Sequence, residues 1–351
     1  MNKLKKTIYF YFPLIIILFF FILIKNKSSD LNNSIANELI YIIENDDLIK
    51  FKELYSKYNA KIYEIKNNKN QNIIHLICLN NSVNILKEIM DKVDNKYLME
   101  YDSSGNYPLK YAIIKNNIEI VRILIKKVDK EQRDKFLGFT PFLIAAFSNK
   151  LEILKILYEN KCDINTVDLK FQNNALFWAT RKYNLEIIKY LINDLKMNYN
   201  QIDNEGSTIF FEACSSFIND KQKCFKTLEY LYSLNNNFIN IPNYEGIYPI
   251  MIAIYNYNLL PFNFLISKNK NLIFSKDNED QNIVDYLILT DNNEYIKNVI
   301  KILKQYYLKE DLIKLLNDSK SFTLIKTNSL GNKEITTTKK YINTILNEIY
   351  N

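Results

Sequence analysis

Gly138-Phe139-Thr140-Pro141-Phe142-Leu143-Ile144-Ala145-Ala146 carries the clearest local signal in the chain, a turn leading into a helix. A glycine supplies the positive φ that a tight turn needs. The threonine two residues later caps a helix, and the proline occupies its first turn, where the missing N–H costs nothing. The paired alanines let a second helix approach closely. The same order returns in Asp102-Ser-Ser-Gly105-Asn-Tyr-Pro108-Leu109-Lys-Tyr-Ala112. It returns again in Asp203-Asn-Glu-Gly206-Ser-Thr208-Ile-Phe-Phe-Glu-Ala213 and in Asn243-Tyr-Glu-Gly246-Ile-Tyr-Pro249-Ile250-Met-Ile-Ala253. Weaker copies begin at Asn70, Phe171 and Asp277.

The position of the first alanine falls at Ile77, Ala112, Ala145, Ala179, Ala213, Ala253 and Leu287, so the period is close to 34 residues except for one longer step into the sixth copy. Gly105, Gly138, Gly206 and Gly246 are four of only five glycines, and they share one phase; Pro108, Pro141 and Pro249 share another. Each copy continues into a second amphipathic helix, as in Asn117-Ile-Glu119-Ile120-Val121-Arg-Ile123-Leu124 and Leu185-Glu186-Ile187-Ile188-Lys-Tyr190-Leu191.

These copies resemble the ankyrin signature D-x-x-G-x-T-P-L-H-x-A-A, and Lys161-Cys162-Asp163-Ile164-Asn165 resembles the family's G-A-D-V-N linker. A tetratricopeptide array has a similar period but lacks the G-x-T-P turn. The resemblance covers residues 67–303, with seven copies, three of them degraded. It implies an all-α solenoid of helix-turn-helix units joined by short β-hairpin loops. One unit cannot bury its apolar face, so neighbours stack and the ends need caps. Residues 31–66 read as an N-terminal helical cap, and 304–351 as a C-terminal cap and tail. In that tail, Phe322–Lys326 and Lys333–Thr338 flank Gly331 as a hairpin would, ahead of a short helix at Tyr341–Tyr350; an irregular tail fits equally.

The net charge is +7 over 351 residues. Lys3, Lys5, Lys6, Lys25 and Lys27 lie in the first 27 residues; removing those five charges leaves +2 for the remainder, no footprint for nucleic acid. They bracket an unbroken run, Ile8 to Ile24, interrupted only by Pro13. The run is at the short end of what spans about 30 Å of hydrocarbon, and no small-residue cleavage site follows it. Residues 1–30 are therefore expected to form a transmembrane anchor in the lipid bilayer, with a cleaved signal of a secreted effector as the alternative. The positive-inside rule favours a single-pass protein with its body on the exported, extracytoplasmic side.

Little in the sequence suggests chemistry. No P-loop, G-x-S-x-G or dinucleotide fingerprint occurs. The one histidine, His75, falls on the signature's histidine, whose family role is to bond the neighbouring turn. Cys78, Cys162 and Cys214 fall on small-residue packing positions. Without C-x-x-C, and with one histidine, no zinc site is expected. Cys214 and Cys224 bracket six extra residues in the fifth copy, and a disulfide between them is conceivable only in an exported body. No enzyme activity, cofactor or small-molecule substrate is expected; the remote alternative is a catalytic tail beyond the array.

The family binds protein partners through hairpin tips and the exposed ends of the first helices. Carried onto this sequence, that surface comprises Phe136, Phe139, Phe147, Phe171, Arg181, Tyr244, Ile247 and Tyr255. Aromatic and arginine side chains in such places make plausible hot spots. The sequence leaves the protein partner unidentified.

Overall fold

A computed structural model describes residues 32–217, 219–321 and 332–351. They divide into two compact units, the chain passing from the first to the second between Val93 and Asp94. In the first, the helices Asn32–Glu44 and Leu48–Tyr58, with a 3₁₀ turn at Asn59–Glu64, precede the pair Ile73–Asn80 and Val83–Ile89. Its core is Leu39, Ile42, Ile43, Phe51, Ile62, Ile73, Ile77 and Leu86. Asp46 sits between the first two helices at φ 47° and accepts N–H bonds from Asn84 and Ile85 at 3.0 and 3.1 Å, while Ser82 donates to the Ile43 carbonyl.

The second unit opens on a single helical turn, Asn95–Leu98, and continues as helix pairs of one pattern. The first helices are Pro108–Ile114, Pro141–Phe147, Ala175–Arg181, Ile209–Ser215, Pro249–Tyr255 and Ile283–Leu289. Their partners are Ile118–Leu124, Leu151–Glu159, Leu185–Lys189 extended by a π turn through Asp194, Lys221–Leu234, Leu259–Lys268 and Asn293–Leu303. Successive first helices pack side by side, with Ala112, Ala145, Ala179, Ala213 and Ala253 fully buried between them. The three phased prolines begin their helices, and the Thr140 and Thr208 hydroxyls cap theirs by accepting from Leu143 and Phe211. The extra residues of the fifth copy come before and at the start of its long second helix, which begins at Lys221.

Each pair is introduced by a turn built the same way. Asn67, Asp102, Asp134, Asp168, Asp203, Asn243 and Asp277 open the turns, and each accepts the N–H of the residue two further on. One backbone bond closes the base, for instance Asp102 N–H to Asn106 O at 2.8 Å and Asp134 N–H to Phe139 O at 3.0 Å. This is an Asx turn, in which a short polar side chain does the work of a backbone acceptor. The four phased glycines stand at φ 73–79°. In the degraded turns Asn70, Gln172 and Asp280 hold the same conformation at φ 58°, 58° and 63°, without a glycine's freedom.

Glycine has a second reason to be there. A Cβ on Gly138 would lie 2.4 Å from Leu169 Cγ, and one on Gly206 would lie 2.6 Å from the Tyr244 ring. The next turn presses on each glycine because the tips are bonded together: Lys135 N–H to Gly105 O, Leu169 N–H to Leu137 O, Tyr244 N–H to Glu205 O and Asn278 N–H to Glu245 O, all at 2.9–3.1 Å.

Two expectations need amendment. Among the described residues no strand forms; the loops are turns closed by one or two backbone bonds, and the single bridge pairs Ile202 with Thr208. The tail from Lys333 is not a hairpin arm: Asn332–Tyr350 is one helix. It buries Tyr341, Ile342, Ile345 and Ile349, a helical spacing that outweighs the β-preference of the threonines ahead of it. The helix Lys309–Asn317 lies before it in the chain. Among the described residues no helix is long and apolar enough to cross a membrane, and the run at Ile8 to Ile24 lies outside them.

The two kinds of turn respond oppositely to substitution. Gly138→Ala lowers stability by about 1–3 kcal/mol, the range for a forced backbone conformation, whereas Gln172→Gly gains up to about 1 kcal/mol from relief of the left-handed penalty, less what the Gln172 Nε2 bond to the Asp168 carbonyl contributes. Urea midpoints of the two variants against the parent measure this.

Candidate interaction surface

The tips of the third and fourth turns of the array, opened by Asp134 and Asp168, are one residue longer than the others. Asp134 Oδ1 gathers the N–H groups of Phe136, Leu137 and Gly138 at 3.0, 2.9 and 3.2 Å. Asp168 takes those of Lys170 and Phe171 on Oδ1 and that of Asn173 on Oδ2. Both carboxylates are buried beneath the turns they hold. The longer loops push apolar side chains outward: Phe136 is 54% exposed and Leu169 66%. The ammonium of Lys170 lies 5.9 Å from the Phe136 ring centroid and 5.7 Å from that of Phe171, within cation–π range. Further along the row, Tyr244 is 67% exposed where it lies across Gly206.

Charge changes along the same row. Lys135 and Lys170 are the exposed ions of the longer turns; Glu205, Glu245 and Glu279 are those of the following three. Partial desolvation, with the nearby Asp203, Glu245 and Glu212 carboxylates, holds the Glu205 carboxyl above its ordinary value.

Half of the residues expected to meet a partner lie instead inside the stack. Phe139 is buried, edge-on to Trp178 at 4.7 Å and to Phe147 at 5.7 Å. Ile247 is buried at the base of its turn, and Tyr255 is buried with its ring 6.3 Å from Tyr286. Arg181 is buried too: its Nε and Nη2 donate to Glu212 of the next repeat at 2.5 and 2.9 Å, and its guanidinium lies 4.6 Å from the Trp178 centroid. The physical reason is common to all four. The following repeat covers that phase, so the side chain cements a joint rather than facing solvent. Phe147 and Phe171 are half-buried against Trp178 at 5.5 and 6.0 Å, and Phe136 and Tyr244 are open. Leu169 escaped the sequence reading because the degraded fourth turn hid its true opening residue, Asp168. Phe217, 66% exposed in the fifth-repeat link, had no family position to mark it.

Trp178 also locks its turn. Its Nε1–H donates to Asp168 at 3.1 Å, as the hydroxyls of Tyr111 and Tyr286 donate to Asp102 and Asp277 at 2.5 and 2.7 Å. These aromatics stand one residue after the histidine position yet tie helix to turn as that histidine is expected to. His75 itself is fully buried, with Nδ1 2.8 Å from Asn72 Oδ1 at the cap of its own helix.

No cluster of three or more metal-ligating side chains occurs among the described residues. Cys78, Cys162, Cys214 and Cys224 are free and buried, and Cys214 and Cys224 do not form the disulfide considered for an exported body. Burial raises every thiol, Cys224 to about 11 and Cys162 to about 12. Since the thiolate is the reactive species, native protein at pH 8 resists iodoacetamide, and denaturation without reductant releases four alkylatable thiols, both scored by intact mass. The Arg181–Glu212 pair yields a separate expectation. Arg181→Met or Glu212→Leu alone costs about 3–5 kcal/mol by stranding a buried charge, and the double replacement costs less than either; a urea double-mutant cycle measures it.

Comparison with known proteins agrees with this architecture. A family model for ankyrin repeats (three copies) matches residues 39–135 and 142–234, more than half of the chain. A mimivirus protein of Acanthamoeba polyphaga, "Putative ankyrin repeat protein L371", is 22% identical over 326 residues, 71% of this chain and 42% of its own length. "Probable 26S proteasome regulatory subunit p28" of Saccharomyces cerevisiae is 27% identical over 139 residues, 37% of this chain and 60% of its own. Ankyrin repeat protein OPG189 of Monkeypox virus is 25% identical over 183 residues, 51% of this chain and 30% of its own. The chain thus spans less than two thirds of the length of each of these relatives. With the turns, helix pairs and phased glycines in place, the chain belongs to the ankyrin-repeat family.

Proposed function

We propose that this protein is a non-catalytic scaffold that binds a protein partner on its hairpin tips and is held at a membrane by residues 8–24. One observation carries the first half: Phe136, Leu169 and Tyr244 project into solvent from turns whose backbones are bonded to themselves and to each other. Large apolar groups on a preorganised frame lose little entropy on binding, which is the condition for a hot spot. Phe147 and Phe171, half-buried beside them, extend the apolar area. The yeast relative's name makes that protein a regulatory subunit of a larger assembly, a role built on protein contact.

The second half rests on the sequence of residues 8–24 alone. The run is apolar on every face and flanked by lysines, as an uncleaved bilayer anchor requires. The bias in flanking charge favours a body on the exported side.

Affinity capture with the full chain in detergent tests the surface. The triple variant F136A/L169A/Y244A loses the captured partner, whereas F139A, a joint residue, changes capture only as far as it changes folding. Equal capture by parent and triple variant would remove the tips from the account. Intact mass of the native protein tests the tether: an uncleaved N-terminus supports the anchor, and loss of about 25–30 residues, a leader's length, assigns the segment to a cleaved signal instead.

A further inference from the structure

The exposed tips of the second unit form a row whose charge reverses part-way along it. Lys135 and Lys170 mark one end, and Glu205, Glu245 and Glu279 the other. The three glutamates hold equivalent places, each the second residue after its Asx, with its N–H bonded to Asp203, Asn243 or Asp277 at 2.9–3.1 Å. Bonds between tips align them: Leu169 N–H to Leu137 O at the cationic end, Tyr244 N–H to Glu205 O and Asn278 N–H to Glu245 O at the anionic end.

The acids beneath the cationic end do not cancel it. Asp134 is buried and bound to Lys110 at 2.9 Å, and Asp168 is buried under turn amides and the Trp178 indole. At the far end, Lys320 lies 3.8 Å from Glu279 and Lys276 is spent on Asp280, which leaves Glu205 and Glu245 as the core of the anionic half. Each half also offers exposed apolar surface, Phe136 and Leu169 on one and Tyr244 on the other. The Glu205 carboxyl, raised first by partial desolvation and next by Asp203 and Glu245, fits a row in which like charges stand close.

We propose that this row binds a second copy of the chain, antiparallel, about a two-fold axis between the fourth and fifth turns of the array. A row that is cationic at one end and anionic at the other is converted by a two-fold rotation into its own complement. The lysine turns of one protomer then meet the glutamate turns of its partner twice, and an exposed aromatic lies within each contact. Opposed charge of this kind fixes register as much as affinity. The inference rests on the tips being the working surface and adds the identity of the occupant.

Sedimentation equilibrium of the full chain in non-ionic detergent tests it, because any association through residues 1–31 is common to all variants. The parent self-associates at about 10 mM salt and weakens at about 1 M, where the screening length falls from about 30 to about 3 Å. K135E/K170E and E205K/E245K each raise the dimer dissociation constant by at least about tenfold. Their equimolar mixture restores the dimer, since one variant is anionic at both ends and the other cationic. A monomeric parent, reversals without effect, or a mixture no tighter than its components would overturn the proposal. The capture experiment with F136A/L169A/Y244A reads the tip surface separately: a monomeric parent that still captures another protein through these residues overturns the second copy and leaves the binding surface standing.

Discussion

The turn-opening Asp or Asn sets the geometry of every repeat joint described above. Its side chain satisfies amides that would otherwise point into solvent at a tight reversal, and so fixes a loop that has no more than two backbone bonds of its own. Once the loop is fixed, a residue of positive φ follows near its end, and the N–H of the next tip can reach back to bond it. In the second unit the stack is therefore held by two lines of contact. Alanine-rich first helices make one, and bonded tips make the other. The buried aromatics join them, with Tyr111, Trp178 and Tyr286 each reaching from helix to turn carboxylate.

This arrangement separates cement from surface. A side chain that faces the following repeat is covered whatever its chemistry, as Phe139, Tyr255 and Arg181 are. Arg181 shows what that costs: a guanidinium in the joint needs Glu212, with Ser216 Oγ also 3.0 Å from the carboxylate. Such a pair contributes less to stability than apolar packing would, but it penalises any other register of the two helices. Side chains that leave the turn sideways stay open, so recognition is confined to a narrow line of residues, including Phe136, Leu169 and Tyr244.

Much of the fold was legible because the scarce residues obey a steric rule. Gly105, Gly138, Gly206 and Gly246 mark positive φ, and Pro108, Pro141 and Pro249 mark helix starts, so their phase located the units directly. Where Gln172 bears the strain instead, the motif blurred, the opening Asp168 was passed over, and Leu169 went unnoticed. Burial at the tips was harder to read, since it depends on the next repeat and not on the residue's own phase; Ile247 and Phe139 look alike in sequence to side chains that face solvent. In the tail, Gly331-Asn332 resembles a hairpin turn, yet the apolar spacing from Tyr341 to Ile349 carries the helix back through the threonines.

Hydrogen exchange at the turn amides reports whether the Asx side chains hold the tips. The N–H groups of Ser104, Phe136, Lys170, Glu205, Glu245 and Glu279 belong to residues at the surface but are bonded to an Asx side chain. If those bonds hold the tips, these amides exchange far more slowly than in the unfolded chain, and Asp134→Ala releases Phe136, Leu137 and Gly138 together. Exchange at unprotected rates in the parent protein, with the helices still protected, would contradict the account: the tips would then be loose loops on a stable stack.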